Sequence, residues 1–466
     1  MDAPLKLLLL TDLFPPHFAP RMAYFASYLH NHGWDVTVVT EQIPAGRAQA
    51  HDTLFPDSFP GKVLRLPLVS GQGSPLGSLK DALFQSKSKR LQHYLKKELS
   101  PAAFHLVLAF SYRTFPLPAA AWIARKYHLP VWMDCRDLVE QYPLKDILPG
   151  RPLARMGCLE RPLLRFLRRK FVKARTRALQ SAQAISTVSP WHKDLLRSIH
   201  PGASVDLLPN GFDETLFVPE PPVHSDRFRI IFTGRVLSLQ MRDPSLLFDA
   251  LEQEPLRAQL QKGVIEIAWY TDAHSQRLLT QALAGRTPAL RQANTFYAMI
   301  PFTEMPRLLR SASVVLLLGN REEAEDAPHG MIGTKTFEAM AMRRPILFTR
   351  SDDGSLASLL EPYGAACCAG TQAAVSEFLT RQLADWRAHS GVTLPAGGNV
   401  NASYAASFAR ERVADSLCRH LRLMLYNHRT RAGIPDDLFR KKSDSSASEA
   451  ETVPHKKSDS RESEAE

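Results

Sequence analysis

No apolar run in the 466-residue chain approaches 18 residues, so a membrane-spanning helix is not expected. Cysteine is scarce. Five occur, at 135, 158, 367, 368 and 418, with neither metal-ligand spacing nor an even framework. A disulfide scaffold is therefore not expected, and a reducing compartment fits best. The loop after the first apolar run, TDLFPPHFAP, has no Gly-x-Gly-x-x-Gly fingerprint, which argues against a dinucleotide-binding site. No Asp-x-Asp pair stands at a strand end. Asp352-Asp353 reads as a polar turn, so no metal requirement and no cofactor are expected. The N-terminus offers only LLLL before Asp12, with no small-residue cleavage site, and reads as a first buried strand rather than a signal peptide.

Apolar residues make up 44% of the chain and charged residues 23%, the balance of a folded soluble protein with room for two or three domains. The formal net charge of +11 asks for an anionic partner or surface. Short β-rich runs alternate with helical patterns. KLLLL, DVTVVT, VLRLP, HLVLAFS, LPVWMDCRD and AISTVS read as strands of a first parallel sheet. PEPPVHSD (219–226) is the best linker. A second set follows in FRIIFTGRV, VIEIAWYTD, ANTFYAMIPF and SVVLLLG. The expected fold is α/β, with two doubly wound halves over 1–218 and 219–398. Helical sequence follows over 399–430. The tail, 439–466, holds an imperfect eleven-residue repeat, KKSDSSASEAE and KKSDSRESEAE, and should be disordered.

Two stretches carry chemistry. HGMIGTKTFEAMAMRRPILF (329–348) orders a Gly-containing turn, a helix start and a strand, after the buried run VVLLLG. That order presents backbone N–H groups and a helix N-terminus to an anion. Lys335 and Glu338 are its charged side chains; the alternative is an ordinary strand–helix–strand unit with both solvated. Residues 151–176 carry nine Lys or Arg against one acid, Glu160. Leu163, Leu164, Phe166, Leu167, Phe171 and Val172 are interleaved at roughly helical spacing. This reads as a basic amphipathic helix on an anionic membrane surface. The alternative is a surface helix that packs its stripe on the sheet. No aromatic platform or DNA-binding motif supports a nucleic-acid partner.

LLLTDLFPPHFAPRMAYFASYLHNHGWDVTVVT, WMDCRDL, AISTVSPWHKDLL with LLPNGFDETLF, TGRVLSLQMRDPSLLFDAL and TKTFEAMAMRRPIL together resemble a family 4 glycosyltransferase of the GT-B fold, and most of all its bacterial cell-envelope polysaccharide members. The resemblance spans roughly residues 5 to 427. It implies two Rossmann-like domains facing a cleft, with the acceptor on the first and a nucleotide sugar on the second, and a C-terminal helix that returns to the first. It further implies sugar transfer, with retention, from a UDP- or GDP-sugar to a lipid-linked or glycan acceptor. The enzyme would work in the cytoplasm on the inner membrane face. Glu338 matches the second Glu of the family's Glu-x7-Glu element, which takes the ribose hydroxyls, and Lys335 a lysine often found three residues earlier. Gly234 and Arg235 match the Gly-Arg turn at the diphosphate, and Arg242 a second basic position. The backbone N–H groups of 331–334, including Gly333 and Thr334, would share in stabilising the leaving group without a metal. Asp137, closing a buried strand on the acceptor side, is the candidate catalytic or positioning carboxylate.

One position departs from the family. The first Glu of the element, a donor-sugar contact, falls at Gly330, and Glu322, Glu323, Glu325 and Asp326 upstream are out of register. Two other readings therefore stand beside the enzyme. One is an inactive GT-B protein that binds a nucleotide sugar or a partner, and the other a sugar-nucleotide epimerase on the same fold.

Overall fold

The computed structural model describes residues 4–17, 19–42, 59–67, 75–144, 147–148, 157–319, 330–349, 354–394 and 400–431. His329, the acidic residues Glu322, Glu323, Glu325 and Asp326, Asp352-Asp353, residues 151–156 of the basic stretch and the repeat tail lie outside them.

Thirteen strands among the described residues form two sheets. The first contains β1 (Leu5–Leu10), β2 (Trp34–Glu41), β3 (Lys62–Leu66), β4 (Leu106–Tyr112), β5 (Val131–Asp137), β6 (Ala184–Thr187) and β7 (Val205–Leu207). Its order is β3-β2-β1-β4-β5-β6-β7. The second contains β8 (Phe228–Thr233), β9 (Ile265–Tyr270), β10 (Asn294–Tyr297), β11 (Val314–Leu318), β12 (Ile346–Thr349) and β13 (Ala366–Ala369), in the order β10-β9-β8-β11-β12-β13. Every pairing between these strands is parallel. Each order reverses once, between β1 and β4 and between β8 and β11, the doubly wound pattern of a Rossmann-like sheet. The expected fold class is thus observed.

The apolar runs explain why. In β1, Leu8 and Leu10 pack into one core with Val107 and Met133, while Leu7 and Leu9 pack into another with Val36 and Leu106. In the second half Ile230 and Phe232 face one core, and Ile231 faces the other with Val315 and Leu317. A strand whose alternate side chains both find an apolar layer needs a continuous hydrophobic run, and parallel sheets meet that need by covering both faces with helices.

The helical C-terminal sequence divides. The helix Ala402–Ala406 packs on the second half, where Ala405 joins the core around Phe337 and the Tyr404 hydroxyl donates to the Leu359 carbonyl at 2.9 Å. The helix Arg410–Arg431 packs on the first sheet through Val413, Leu417, Leu421 and Leu425. Between them, Phe212 N donates to Phe408 O at 3.1 Å and Arg410 N to Phe212 O at 2.9 Å. The outgoing and returning chains are bonded to each other there.

The basic stretch forms the helix Glu160–Leu179. Its apolar stripe does not face outward. Leu163, Leu164, Leu167, Phe171 and Val172 pack against Leu79, Ala82, Leu83, Val139 and Ile147. This corrects the expectation that the stripe itself meets a membrane; burying those side chains under the neighbouring helix removes more apolar surface from water than one-sided contact would. Of the six interleaved apolar residues only Phe166 is largely exposed, at 49%.

Candidate active site

The carboxyl end of β8 passes into Gly234, which has φ +115°. A Cβ there would run into the Lys335 ammonium, so the left-handed backbone and the close approach both require glycine. Lys335 lies on the helix Thr334–Ala341, which starts after the extended residue Gly333. Its Nζ reaches across the sheet to the Thr233 carbonyl at 2.5 Å. Burial lowers the Lys335 pKa to about 8, helped by Arg242 and Arg235 and opposed by Glu338. A cation already short of solvation is ready to receive an anion.

A cavity of about 110 Å³ opens at this point, lined by Met241, Arg242, Gly333, Thr334, Lys335 and Thr336 over an apolar floor that includes Leu317 and Leu356. Both β8 and β11 point their carboxyl ends at it, so it sits at the reversal of strand order, where open α/β sheets take ligands. Arg242 is held by a bond from Nη1 to the Leu318 carbonyl at 3.2 Å, and burial lowers its pKa. The first turn of the helix Thr334–Ala341 supplies N–H groups that no intrahelical carbonyl accepts. A Cβ on Gly333 would meet nothing within 4 Å, so that flank is open to a ligand.

The structure therefore brings Gly234, Arg242, Gly333, Thr334 and Lys335 together. Arg235 stands to one side, its Nε 3.6 Å from Asp272 Oδ2. Burial pushes the Asp272 carboxyl up, but the Ser275 amide and hydroxyl with Arg235 hold it below the usual range. Glu338 does not line the cavity. It lies one turn deeper, 3% exposed, and burial raises its pKa against the pull of Lys335, Arg410 and the Thr334 side chain.

Asp137 closes β5 in the first half. Oδ2 accepts from Arg136 Nε at 2.8 Å and Oδ1 from Gln141 Nε2 at 3.0 Å. Burial alone would raise its pKa, yet Arg136, Gln141 and His192 bring it below the ordinary range. This carboxylate is ionised and held on both oxygens, which suits orienting or charge-stabilising work better than donating a proton.

His192 also touches the second half. Gly330, with φ +66°, packs so closely on the start of the helix Pro190–Ile199 that an added Cβ would lie 3.0 Å from His192 Cδ2, 3.0 Å from Trp191 Cε3 and 2.8 Å from Ser189 Oγ. The residue standing where the family places a carboxylate is thus an interdomain contact that only glycine fits. Asn210 makes a second contact, from Nδ2 to the Ile332 carbonyl at 3.0 Å. Behind it, Arg21 donates from Nη1 to the Pro209 carbonyl and from Nη2 to the fully buried Asp134, both at 2.8 Å. Sequence reasoning did not assign roles to Asn210, His192 or Arg410. The first two sit inside the segments LLPNGFDETLF and AISTVSPWHKDLL, which were the available signal. Arg410 had none.

Residues 19–211 match the family model described as a glycosyl transferase 4-like domain. No curated protein sequence matches the chain. Among solved structures, the sucrose-phosphate synthase of Thermosynechococcus elongatus superposes with a TM-score of 0.61 at 15% identity, over 91% of this chain and 100% of that one. Anabaena HepE in complex with UDP-glucose gives 0.58 at 14% identity, over 90% and 100%. The lipopolysaccharide outer core galactosyltransferase WaaB gives 0.53 at 11% identity, over 90% and 99%. At these identities the likeness establishes the fold. Residues 19–211 thus match a glycosyl transferase 4-like domain, and the two Rossmann-like sheets give the chain the GT-B fold of these structures.

Proposed function

We propose that the protein transfers a sugar, with retention, from a UDP- or GDP-sugar to a lipid-linked or glycan acceptor in envelope glycan synthesis. The observation that carries this is the convergence of Lys335, Arg242, the Gly234 turn and the open first turn of the helix Thr334–Ala341 on one cavity at the strand-order reversal. Charge builds on the diphosphate as the glycosidic bond breaks. Cations and N–H dipoles fixed there in advance stabilise it with no reorganisation. In this reading Arg235 leaves Asp272 to meet the diphosphate. Glu338 takes the ribose hydroxyls, and Asp137 orients the acceptor from the opposite half. In this reading no metal is required, and chelator should leave turnover unchanged. HepE with UDP-glucose bound and a galactosyltransferase of the lipopolysaccharide core share the fold, which supports a nucleotide-sugar donor and an envelope role.

A screen of UDP- and GDP-sugars for donor consumption tests the reading. Turnover with one donor is expected, and Lys335→Ala and Glu338→Ala should each reduce it strongly. Full activity in both variants would overturn the site. The contact that fills the Gly330 position favours a second reading, an inactive nucleotide-sugar-binding subunit; UDP or GDP binding without consumption of any donor would establish it. Conversion of a UDP-sugar to its epimer without an acceptor would instead mark an epimerase.

The protein also works against an anionic membrane surface in this proposal, peripherally and on the cytoplasmic side. With its stripe buried, the helix Glu160–Leu179 turns outward a row at four-residue spacing: Arg161, Arg165, Arg169, Lys173 and Arg177, all exposed. Phe166 and Leu159, 61% exposed, lie beside it. Among the described residues no helix is long and apolar enough to cross a membrane. Basic side chains near anionic lipid contribute about 1 kcal/mol each. Co-sedimentation should favour anionic over neutral vesicles, and Arg165→Glu with Arg169→Glu should abolish the preference.

A further inference from the structure

Not all of the basic residues on the helix Glu160–Leu179 face outward. Arg168, Phe171 and Arg175 follow one another at helical spacing, on one face. That face is bonded to the loops at the carboxyl ends of β4 and β5. The Arg175 side chain is 1% exposed. Its Nη1 donates to Glu140 Oε2 at 2.6 Å and its Nη2 to Glu140 Oε1 at 2.7 Å, a two-pronged pair. Arg168 Nη2 donates to the Glu140 carbonyl at 2.9 Å. Between them, the Phe171 carbonyl accepts from the Thr114 hydroxyl at 3.3 Å. Thr114 follows Arg113, whose N–H donates to the Asp137 carbonyl at 3.0 Å.

Glu140 is the middle residue of the turn Val139–Gln141, and the residue after it reaches the candidate acceptor-side carboxylate. Gln141 Oε1 accepts from Leu138 N at 3.2 Å, and its Nε2 donates to Asp137 Oδ1 at 3.0 Å. Both ends of the carboxamide are engaged, so the seat of the turn decides where Gln141 meets Asp137. A buried ion pair adds little net stability over an apolar pair of similar volume. What a two-pronged guanidinium–carboxylate pair supplies is direction.

We propose that Glu140, Arg175 and Arg168 are positioning residues for the acceptor side: the inner face of the basic helix clamps the turn Val139–Gln141, and through Gln141 it fixes the orientation of the Asp137 carboxylate. This rests on the proposed role of Asp137 in orienting the acceptor. The helix that offers its outer row to anionic lipid then also seats the carboxylate that meets the acceptor. Surface and acceptor are read by opposite faces of one rigid element.

The test labels Asp137 in the full chain with a water-soluble carbodiimide and glycine amide from about pH 4 to 7, read by peptide mass spectrometry, because the reagent takes the protonated carboxyl. Donor consumption and thermal unfolding are measured on the same variants. The groups that face Asp137 are Arg136 on its own strand, Gln141 and Tyr142 from the turn, His192 on the helix Pro190–Ile199 and, across Arg136 Nη2 at 3.9 Å, Asp12 after β1. The clamp variants alter none of them. Gln141→Leu removes a donor that favours the ionised carboxylate, so labelling should speed up about tenfold at a fixed pH. Glu140→Leu combined with Arg175→Met replaces the ion pair by apolar side chains. It should melt close to wild type, yet label Asp137 faster and lower donor consumption on the order of tenfold. Arg175→Lys should fall between, since an ammonium keeps the charge and loses the fork. Wild-type labelling and wild-type donor consumption in the folded double variant would overturn the inference. Glu140→Gln, which keeps the shape and weakens the pair, carries the same comparison if the double variant does not fold. Wild-type donor consumption in Asp137→Asn would remove the acceptor role and the inference with it. The labelling results do not depend on that role, so the two failures are told apart.

Discussion

Raising the pH through 8 should release a bound nucleotide diphosphate, and the reason is Lys335. In the free protein burial brings its pKa to about 8 from an ordinary 10.5. The diphosphate prefers the charged form. It is itself fully ionised at this pH, since a phosphate's second pKa is about 6. Binding therefore pulls the Lys335 pKa back up and draws in a proton. The sign follows: affinity is full below pH 8, where Lys335 is already protonated, and declines above it. The decline should be about tenfold per pH unit, up to a ceiling of roughly 300-fold set by the 2.5-unit gap between free and ordinary lysine. At pH 8 about half a proton should be taken up per nucleotide bound. Calorimetric titration in two buffers of different ionisation enthalpy measures that uptake directly. Lys335→Met should bind more weakly at pH 7 and lose the dependence. A flat affinity from pH 7 to 9.5, or the same slope in Lys335→Met, would refute the placement of this ammonium at the diphosphate.

Other outcomes follow from contacts described above. Gly330→Glu, which restores the residue the family usually has, should lower donor turnover and the melting temperature rather than raise activity. The left-handed backbone costs an L residue about 1–2 kcal/mol, and its Cβ meets Trp191, His192 and Ser189; a more active and equally stable variant would contradict this. Gly234→Ala should reduce nucleotide affinity more than it reduces stability, because the side chain displaced is Lys335, and comparison of calorimetry with thermal unfolding separates the two. Arg21→Met should destabilise the fold by about 3–5 kcal/mol in denaturant titration, because it leaves the buried Asp134 carboxylate without its cation. Adding Asp134→Asn should recover part of that loss, and no recovery would count against the pair.

The fold was readable because parallel strands buried on both faces are written as apolar runs. KLLLL, HLVLAFS and VVLLLG announce themselves. β13 was not read, since Ala366–Ala369 is ACCA, an edge strand with no β-branched residue and only its last side chain buried. The helices Pro75–Phe84 and Ser86–Glu98 were likewise not singled out. Lys335 and Gly234 could be paired because each lies in a segment with a family counterpart. What stayed hidden depends on separations of many residues along the chain. Periodicity gave the stripe on the helix Glu160–Leu179 but not whether a neighbour covers it. Charge did not reveal that Glu338 is buried. Gly330 read as a missing carboxylate, whereas in three dimensions it is where the second half of the chain rests on Trp191 and His192.

The split of the C-terminal helices bears on the order in which the molecule can be built. One face of the first sheet, with Leu7, Leu9, Val36, Val38, Leu106 and Leu108, shares its core with Val413, Leu417, Leu421 and Leu425. During synthesis that face must wait for about 200 further residues before its last covering helix emerges. The first half is thus spatially one unit but not one stretch of chain. A truncation at the Pro-rich joint would leave an apolar face open to self-association. A fragment meant to represent the first half has to carry residues 410–431 with it, fused or supplied as a separate peptide.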